Sequence, residues 1–227
     1  MRRLAAQILR LKGPYTMVSV ARLLNLAELI SRVDEAGTEG DIVECGVWRG
    51  GSAALMARTH TDNCAARRDF WLFDSFEGLP PPDEYATKLT REIYVEGWCE
   101  ASIAAVEEAF TVVGLTMEQV HVVPGWFDET LPNHQITKIA LLHIDADFHD
   151  SVHCALTYLY PQVVPGGYVV FDDFGSFRGC KIAVLDFIEK QGLGSMKLHI
   201  VDEAGAYFRK PEQDHIAGIG KSAESIG

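Results

Sequence analysis

Leu141-Leu142-His143-Ile144-Asp145-Ala146-Asp147 and, further on, Tyr168-Val169-Val170-Phe171-Asp172-Asp173 are two apolar runs that each end in a pair of carboxylates. Unbroken apolar runs of this length read as strands buried on both faces, as in a parallel sheet. Carboxylates at the ends of core strands are costly unless a positive charge sits among them. A divalent cation is the simplest such charge, and a ligand set made only of oxygens points to Mg, Ca or Mn rather than Zn. Residues two apart on a strand share a face, so Asp145 and Asp147 are expected to point the same way. If the two strands are neighbours, their backbones lie ~4.8 Å apart, close enough for one ion to touch both.

Outward from these runs, strands alternate with helices. Residues 42–46, 70–73, 121–123, 139–144 and 168–171 read as strands. Residues 18–36, 52–58, 102–113, 151–160 and 181–190 carry helical patterns, and 1–12 form a short basic amphipathic stretch. This alternation predicts an α/β fold with a single doubly wound, mostly parallel sheet. Residues 197–201 and 206–209 add a closing antiparallel hairpin. Residues 75–100 are rich in turn formers and read as one long irregular connection, which in a compact domain usually serves function as a lid. The domain organisation expected is an N-terminal helical segment over 1–40, one catalytic domain over 41–211, and a polar, glycine-containing tail over 212–227 that is disordered.

Bulk properties exclude several classes. A net charge of −12 over 227 residues lacks the basic footprint of a nucleic-acid binder and disfavours anionic membrane surfaces. No apolar run is long enough to span a bilayer, and no signal peptide is read at the start, so a cytoplasmic protein is expected. Five cysteines, an odd number with no CxxC pair, read as reduced thiols rather than as disulfides or a zinc site. There is no nucleophile elbow, no Walker lysine loop and no HExxH motif.

Ligands of doubly wound sheets bind outside the carboxyl ends of the strands, and the remaining motifs fall there. Glu44-Cys45-Gly46-Val47-Trp48-Arg49-Gly50-Gly51-Ser52 makes the first strand-to-helix turn. Its glycines let a ligand approach the backbone, and Ser52 opens a helix with free N–H groups. The spacing is not the GxGxxG dinucleotide fingerprint. An acid just before such a turn is the arrangement of S-adenosylmethionine (SAM) sites, where it pairs with the ligand's ammonium; the plain alternative is an ordinary tight turn. Asp74-Ser75-Phe76-Glu77-Gly78 follows the second strand, where an acid can accept from both ribose hydroxyls or simply cap a helix. Trp126 and Phe127, after Pro124-Gly125, suit an adenine edge or the core. His143 reads as a packed core residue; His149 and His153 flank the acids. Arg178 and Lys181 are alternative partners for some of those acids.

Taken together, the chain resembles the metal-dependent sugar O-methyltransferases of macrolide and aminocoumarin pathways (the macrocin, mycinamicin and novobiocin type), a class I, Rossmann-like SAM-dependent family. The matching pieces are Tyr15-Thr16-Met17, residues 44–48, 74–78, Gly125-Trp126-Phe127, 143–147, 165–167, Phe171-Asp172-Asp173 and 206–210, in order over about residues 13–210. The resemblance implies that Thr16, Met17, Glu44, Cys45, Gly46, Val47, Trp48, Ser52, Asp74, Ser75, Phe76, Glu77, Gly78, Ser102, Trp126, Phe127 and Asp145 hold SAM. It implies that Asp145, Asp172 and Asp173 hold Mg and that Asp147 is the general base. The acceptor implied is a small molecule with a hydroxyl or vicinal diol, a sugar of a glycosylated natural product in antibiotic biosynthesis, and a homo-oligomer is common in such enzymes. Two departures stand out: fewer residues precede Thr16-Met17 than is usual, and His149-Asp150 replaces an aromatic that is often followed by Glu. The competing readings are a metal-dependent methyltransferase of catechols or other non-sugar diols, and a catalytically silent SAM-binding protein; a nicotinamide oxidoreductase lacks its glycine fingerprint.

Overall fold

The computed structural model describes residues 2–63 and 67–212. The expected disordered tail lies, from residue 213, outside the described residues, as does Cys64. Two N-terminal helices, α1 (Arg2–Leu11) and α2 (Val20–Glu35), lead into β1 (Asp41–Cys45), α3 (Gly51–Asn63) and β2 (Phe70–Asp74). Then come α4 (Lys88–Ile93), α5 (Ile103–Val112), β3 (Val120–Pro124), α6 (Phe127–Thr130), β4 (Ile139–Ile144), α7 (His149–Leu159), β5 (Val163–Phe171), α8 (Arg178–Lys190), β6 (His199–Ile200) and β7 (Ala206–Arg209).

The strands form one sheet in the order β3-β2-β1-β4-β5-β7-β6. The first five are parallel, while β7 runs antiparallel to both β5 and β6. The order reverses between β1 and β4, and the expected doubly wound sheet with its closing hairpin is what forms. Alternate side chains of each strand feed two cores. Ile42, Leu72, Leu141 and Val170 pack with apolar residues of α1, α2, α3 and α5, whereas Val43, Cys45, Leu142, Ile144, Val169 and Phe171 pack against α7 and α8. Both faces of the sheet are therefore dry, which explains why β4 reads as an uninterrupted apolar run. The N-terminal helical segment shares the first of these cores through Ile8, Leu11, Leu23, Leu26 and Ile30.

Two elements differ from the sequence reading. Residues 75–100 contain a short helix, α4, capped by the Thr87 hydroxyl accepting from the Thr90 N–H at 3.1 Å; it buries no residue, so no apolar periodicity marks it. Strand β5 begins at Val163, upstream of Pro165-Gly166-Gly167, because a register shift in its pairing with β4 accommodates the proline and Gly166 adopts φ +82°. Cys45, Cys99, Cys154 and Cys180 are free thiols, in line with the reduced reading.

Helix α2 starts at a polar clasp. The Ser19 hydroxyl accepts from the Arg22 N–H at 3.2 Å and donates to the Asp202 carboxylate at 2.6 Å. Ser19→Ala removes the cap and one bond of the clasp, with an expected loss of about 1 kcal/mol in unfolding free energy, read from urea denaturation.

Candidate active site

The carboxyl ends of β1, β2 and β4 open onto a cavity of about 340 Å³, also lined by residues of the segment running from Ser75 to Cys99. Gly46 makes this meeting point possible. Its φ is +87°, and a Cβ there would stand 1.7 Å from the Asp145 carbonyl oxygen. The end of β1 thus lies directly against the end of β4, and only glycine fits. Gly51 does the same for the N-terminal loop: its N–H donates to the Tyr15 carbonyl at 2.9 Å, which brings Thr16-Met17 to the first turn. Thr16 is buried with its hydroxyl accepting from the Val18 N–H, while Met17 lines the cavity.

Strain concentrates here. Among the described residues, the non-glycine positions with positive φ are Trp48 (+47°), Phe76 (+59°), Cys99 (+66°) and Asp147 (+54°). Trp48, Cys99 and Asp147 line the cavity, and Phe76 follows Asp74-Ser75, which do. Such conformations persist only where surrounding contacts over-determine them, and they cluster at sites of function.

Asp74 joins the first two turns. One carboxylate oxygen accepts from the N–H groups of Val47 and Trp48 at 2.6 and 2.9 Å, and the other accepts from Phe76 at 2.7 Å. Ser75 bridges its own turn, donating to the Gly78 carbonyl and accepting from the Glu77 N–H. Gly46, Trp48, Asp74, Ser75, Gly78, Trp126 and Phe127 all border the cavity. Cys45, Val47, Ser52, Glu77 and Ser102 are not among the residues that line the cavity. Cys45 packs into the core on the far face of the sheet, Val47 and Ser52 are buried, and Glu77 is exposed. Ser102 is exposed, and its hydroxyl caps α5 by accepting from Ala105 at 3.3 Å.

Glu44 also sits elsewhere than its sequence position suggests. Its carboxylate is fully buried, with Oε1 2.8 Å from Nδ1 of His143, its register partner on β4. One carboxylate oxygen of Glu44 is thus committed to a histidine, while Oε2 is buried with no hydrogen-bond partner.

The four aspartates gather as the two apolar runs suggest. Strands β4 and β5 are neighbours, and Asp172 N–H donates to the Ile144 carbonyl at 3.0 Å, setting the two strand ends level. Asp145 and Asp147 both face the cavity, but not by strand alternation. Strand β4 ends at Ile144, and a tight turn follows in which Phe148 N–H donates to the Ala146 carbonyl at 2.5 Å. Asp172 and Asp173 are buried beside them.

Burial pushes Asp145 and Asp147 well above the usual carboxylate range, and the neighbouring acids push them further. Burial likewise lifts Asp173 to about 6, with Asp172 adding repulsion. Asp172 also rises by burial, although His143 and Arg22 pull it back. Asp145 and Asp173 share a hydrogen bond between carboxyls, which requires a proton. The second oxygen of Asp173 is buried with no partner. Burial opposes protonation of His143, but its bond to Glu44 and the charges of Asp172 and Asp173 outweigh it and raise its pKa. Atoms of His143, Asp145 and Asp172 lie within 4.8 Å of one another. Clustered, desolvated, mutually repelling carboxyls with an orphaned oxygen are a donor set that a divalent cation fits.

Arg178 and Lys181 stood as side-chain alternatives to a divalent cation beside these acids; the side chain that pairs with Asp172 is Arg22. Its guanidinium pairs with the Asp172 carboxylate, donates to the Asp172 carbonyl at 2.9 Å and holds Asp202 at 3.2 Å. A faint signal was present: Arg22 lies in the first turn of α2, where the helix dipole disfavours a cation unless an acid answers it. Around the rim, Tyr85 stacks on His149 with ring centroids 3.9 Å apart, and the Asp150 N–H donates to Asp83 at 3.3 Å, so the segment that carries Asp83 and Tyr85 is latched onto α7. Cys99 and Cys154 line the cavity, but burial lifts both thiols to about 11, which keeps them from acting as thiolates.

Residues 5–210 match the sequence model of the macrocin O-methyltransferase family. The chain belongs to this family. Like the named members, it is an O-methyltransferase. The tetracenomycin-pathway rhamnosyl 4'-O-methyltransferase of Streptomyces olivaceus is 36% identical over 201 residues, covering 86% of this chain and 75% of that one. Mycinamicin III 3''-O-methyltransferase of Micromonospora griseorubida is 33% identical over 202 residues, covering 86% and 78%. Demethyldecarbamoylnovobiocin O-methyltransferase of Streptomyces niveus is 35% identical over 201 residues, covering 86% and 76%. Among solved structures, the O-methyltransferase NovP superposes with a TM-score of 0.79 at 35% identity, covering 87% of this chain and 83% of that one. The calicheamicin methyltransferase CalS11, at 22% identity and a TM-score of 0.66, shares the fold. The family's seven-stranded architecture is thus the one β1 to β7 adopt, and no helix among the described residues is long and apolar enough to cross a membrane.

Proposed function

We propose that this macrocin-family enzyme methylates a sugar hydroxyl of a glycosylated natural product, using SAM and a divalent cation, Mg in the first instance. The observation that carries the reading is the cluster of Asp145 with the buried Asp172 and Asp173 at the end of a cavity that the glycine turn after β1 also lines. Met17, Gly46, Trp48, Asp74, Ser75, Trp126 and Phe127 hold SAM along that cavity. Asp74 keeps the first two turns in register, and its carboxylate retains capacity for a ribose hydroxyl. Asp145, Asp172 and Asp173 hold the cation, which when bound lowers the pKa of an acceptor hydroxyl and fixes its orientation.

Bound SAM would supply an electrophilic methyl group to the acceptor oxygen and leave as the neutral thioether, and Asp147 would take the hydroxyl proton. A carboxyl raised toward neutrality by burial is suited to that exchange. Closure of the segment between Ser75 and Cys99 keeps water from the reacting atoms. The relatives named above, all sugar or glycoside methyltransferases in antibiotic pathways by name or context, support the acceptor class. The setting inferred is a cytoplasmic biosynthetic enzyme acting on small molecules, and a homo-oligomer.

The test is to incubate the purified protein with SAM and a panel of glycosides and catechols, with Mg or with EDTA, and to read product mass. A methylated glycoside that disappears with EDTA is the expected result. Methylation of catechols alone would replace the sugar reading, and methylation that persists with EDTA would remove the cation.

A further inference from the structure

We infer that His143 is an additional ligand of the cation, through Nε2, and that Glu44 is the residue that orients it. This rests on the cation-site reading above and adds to it a nitrogen donor, which changes the metal the site prefers.

Three observations carry it. First, Glu44 and His143 are both fully buried, and Oε1 of Glu44 lies 2.8 Å from Nδ1 of His143. A buried carboxylate of this kind fixes the ring and keeps a proton on Nδ1. Second, Nε2 of His143 is buried with no hydrogen-bond partner. A donor or acceptor in that position costs about 1–3 kcal/mol unless something satisfies it. Third, the unpartnered atom points at the carboxylate cluster. It lies 4.0 Å from Oδ1 of Asp172, and atoms of His143, Asp145 and Asp172 fall within 4.8 Å of one another.

The 4.0 Å separation is too long for a hydrogen bond. It does match two ligands on one ion. With bonds of about 2.1 Å, ligands of a single cation stand between about 3.0 and 4.2 Å apart, from adjacent to opposite positions. Arg22 pairs with Oδ2 of Asp172, which leaves Oδ1 as the oxygen that faces His143. The arrangement is that of a metal-bound histidine whose far nitrogen is held by a carboxylate, a pairing that raises ligand basicity and fixes the ring. Any proton on Nε2 leaves when the cation takes its place.

The consequence is selectivity. A site of carboxylates alone suits Mg, Ca or Mn; adding an imidazole shifts preference toward Fe, Ni or Zn.

Mn alone is the probe. Binding is followed by electron paramagnetic resonance of the free ion, with Mg as competitor, and the bound ion is examined for nitrogen hyperfine coupling by pulsed methods. The wild-type protein is expected to bind Mn with coupling to a directly bonded nitrogen. His143→Gln is expected to lose that coupling, and Glu44→Gln to keep it while weakening Mn about 10–100-fold. The wild-type spectrum decides the matter even if His143→Gln fails to fold. Bound Mn with oxygen ligands only would overturn the role of His143 and leave the cation site standing. Coupling that survives in a folded His143→Gln protein would point to another histidine and overturn it too. No Mn binding at all would remove this inference and the cation site together.

Discussion

Asp147→Asn is expected to slow methyl transfer by ~10²–10⁴-fold while leaving SAM affinity within about twofold of wild type. The substitution preserves shape and removes the capacity to accept a proton. Asp147 suits the role because of where the chain puts it. Strand β4 ends at Ile144, and the residue sits in the tight turn beyond with φ +54°, a conformation that Asn also tolerates. The variant should therefore fold and keep its backbone. Burial and the charges of Asp173 and Asp172 raise its pKa, which sets a second expectation. A general base works only when deprotonated, so wild-type turnover should rise with pH at values above those of an ordinary carboxylate, and the variant should lose that rise. Isothermal titration with SAM, stopped-time product assays and a pH profile test these points. Full activity in Asp147→Asn would remove the base assignment; lost SAM affinity would show that the residue shapes the cofactor site instead.

Why some of this site was legible and some was not has a physical basis. Periodicity and apolar runs are read locally, so the strand ends carrying Asp74, Asp145 and Asp172-Asp173 are legible, whereas the strand order that brings them together is not. A glycine at a strand end is equally local, and Gly46 proves to be the residue on which β1 and β4 meet. Direction is harder to read. Glu44 stands where a cofactor acid is expected, yet strand alternation points it into the dry face of the sheet, where the only polar neighbour in register is His143. The same alternation was extended too far for Asp145 and Asp147: a turn, rather than the pleat, brings both to the cavity. Arg22 was missed because its partner Asp172 is distant in sequence, and because a polar residue on an apolar helix reads as surface until the tertiary contact is known. Helix α4 escaped since it buries nothing and so leaves no periodic trace.

Asp173→Asn is expected to raise the stability of the cation-free protein and to reduce methylation to the level seen with EDTA. The two effects have one cause. Asp173 is almost wholly buried beside Asp172, one of its oxygens has no partner, and its folded-state pKa is lifted to about 6 from an ordinary value of 3.8. The unfolded chain releases this proton first, so between those values the folded state holds more protons and stability falls as pH rises. Above about 6 the folded protein carries the whole cost of an ionised, desolvated carboxylate, and Asn avoids it; a gain of roughly 1–3 kcal/mol is expected. A cation binds the ionised form and offsets the same cost. The rise in Tm produced by Mg or Mn should accordingly be small near about pH 5, grow through about pH 6, and level off by about pH 8. In Asp173→Asn that cation-dependent rise should shrink at every pH. Differential scanning calorimetry across this range, with cation or EDTA, measures both. A variant that melts no higher than wild type without cation would mean that the buried carboxylate is already satisfied. A cation shift that stays the same from acid to base would mean that the ion is held by groups other than these acids.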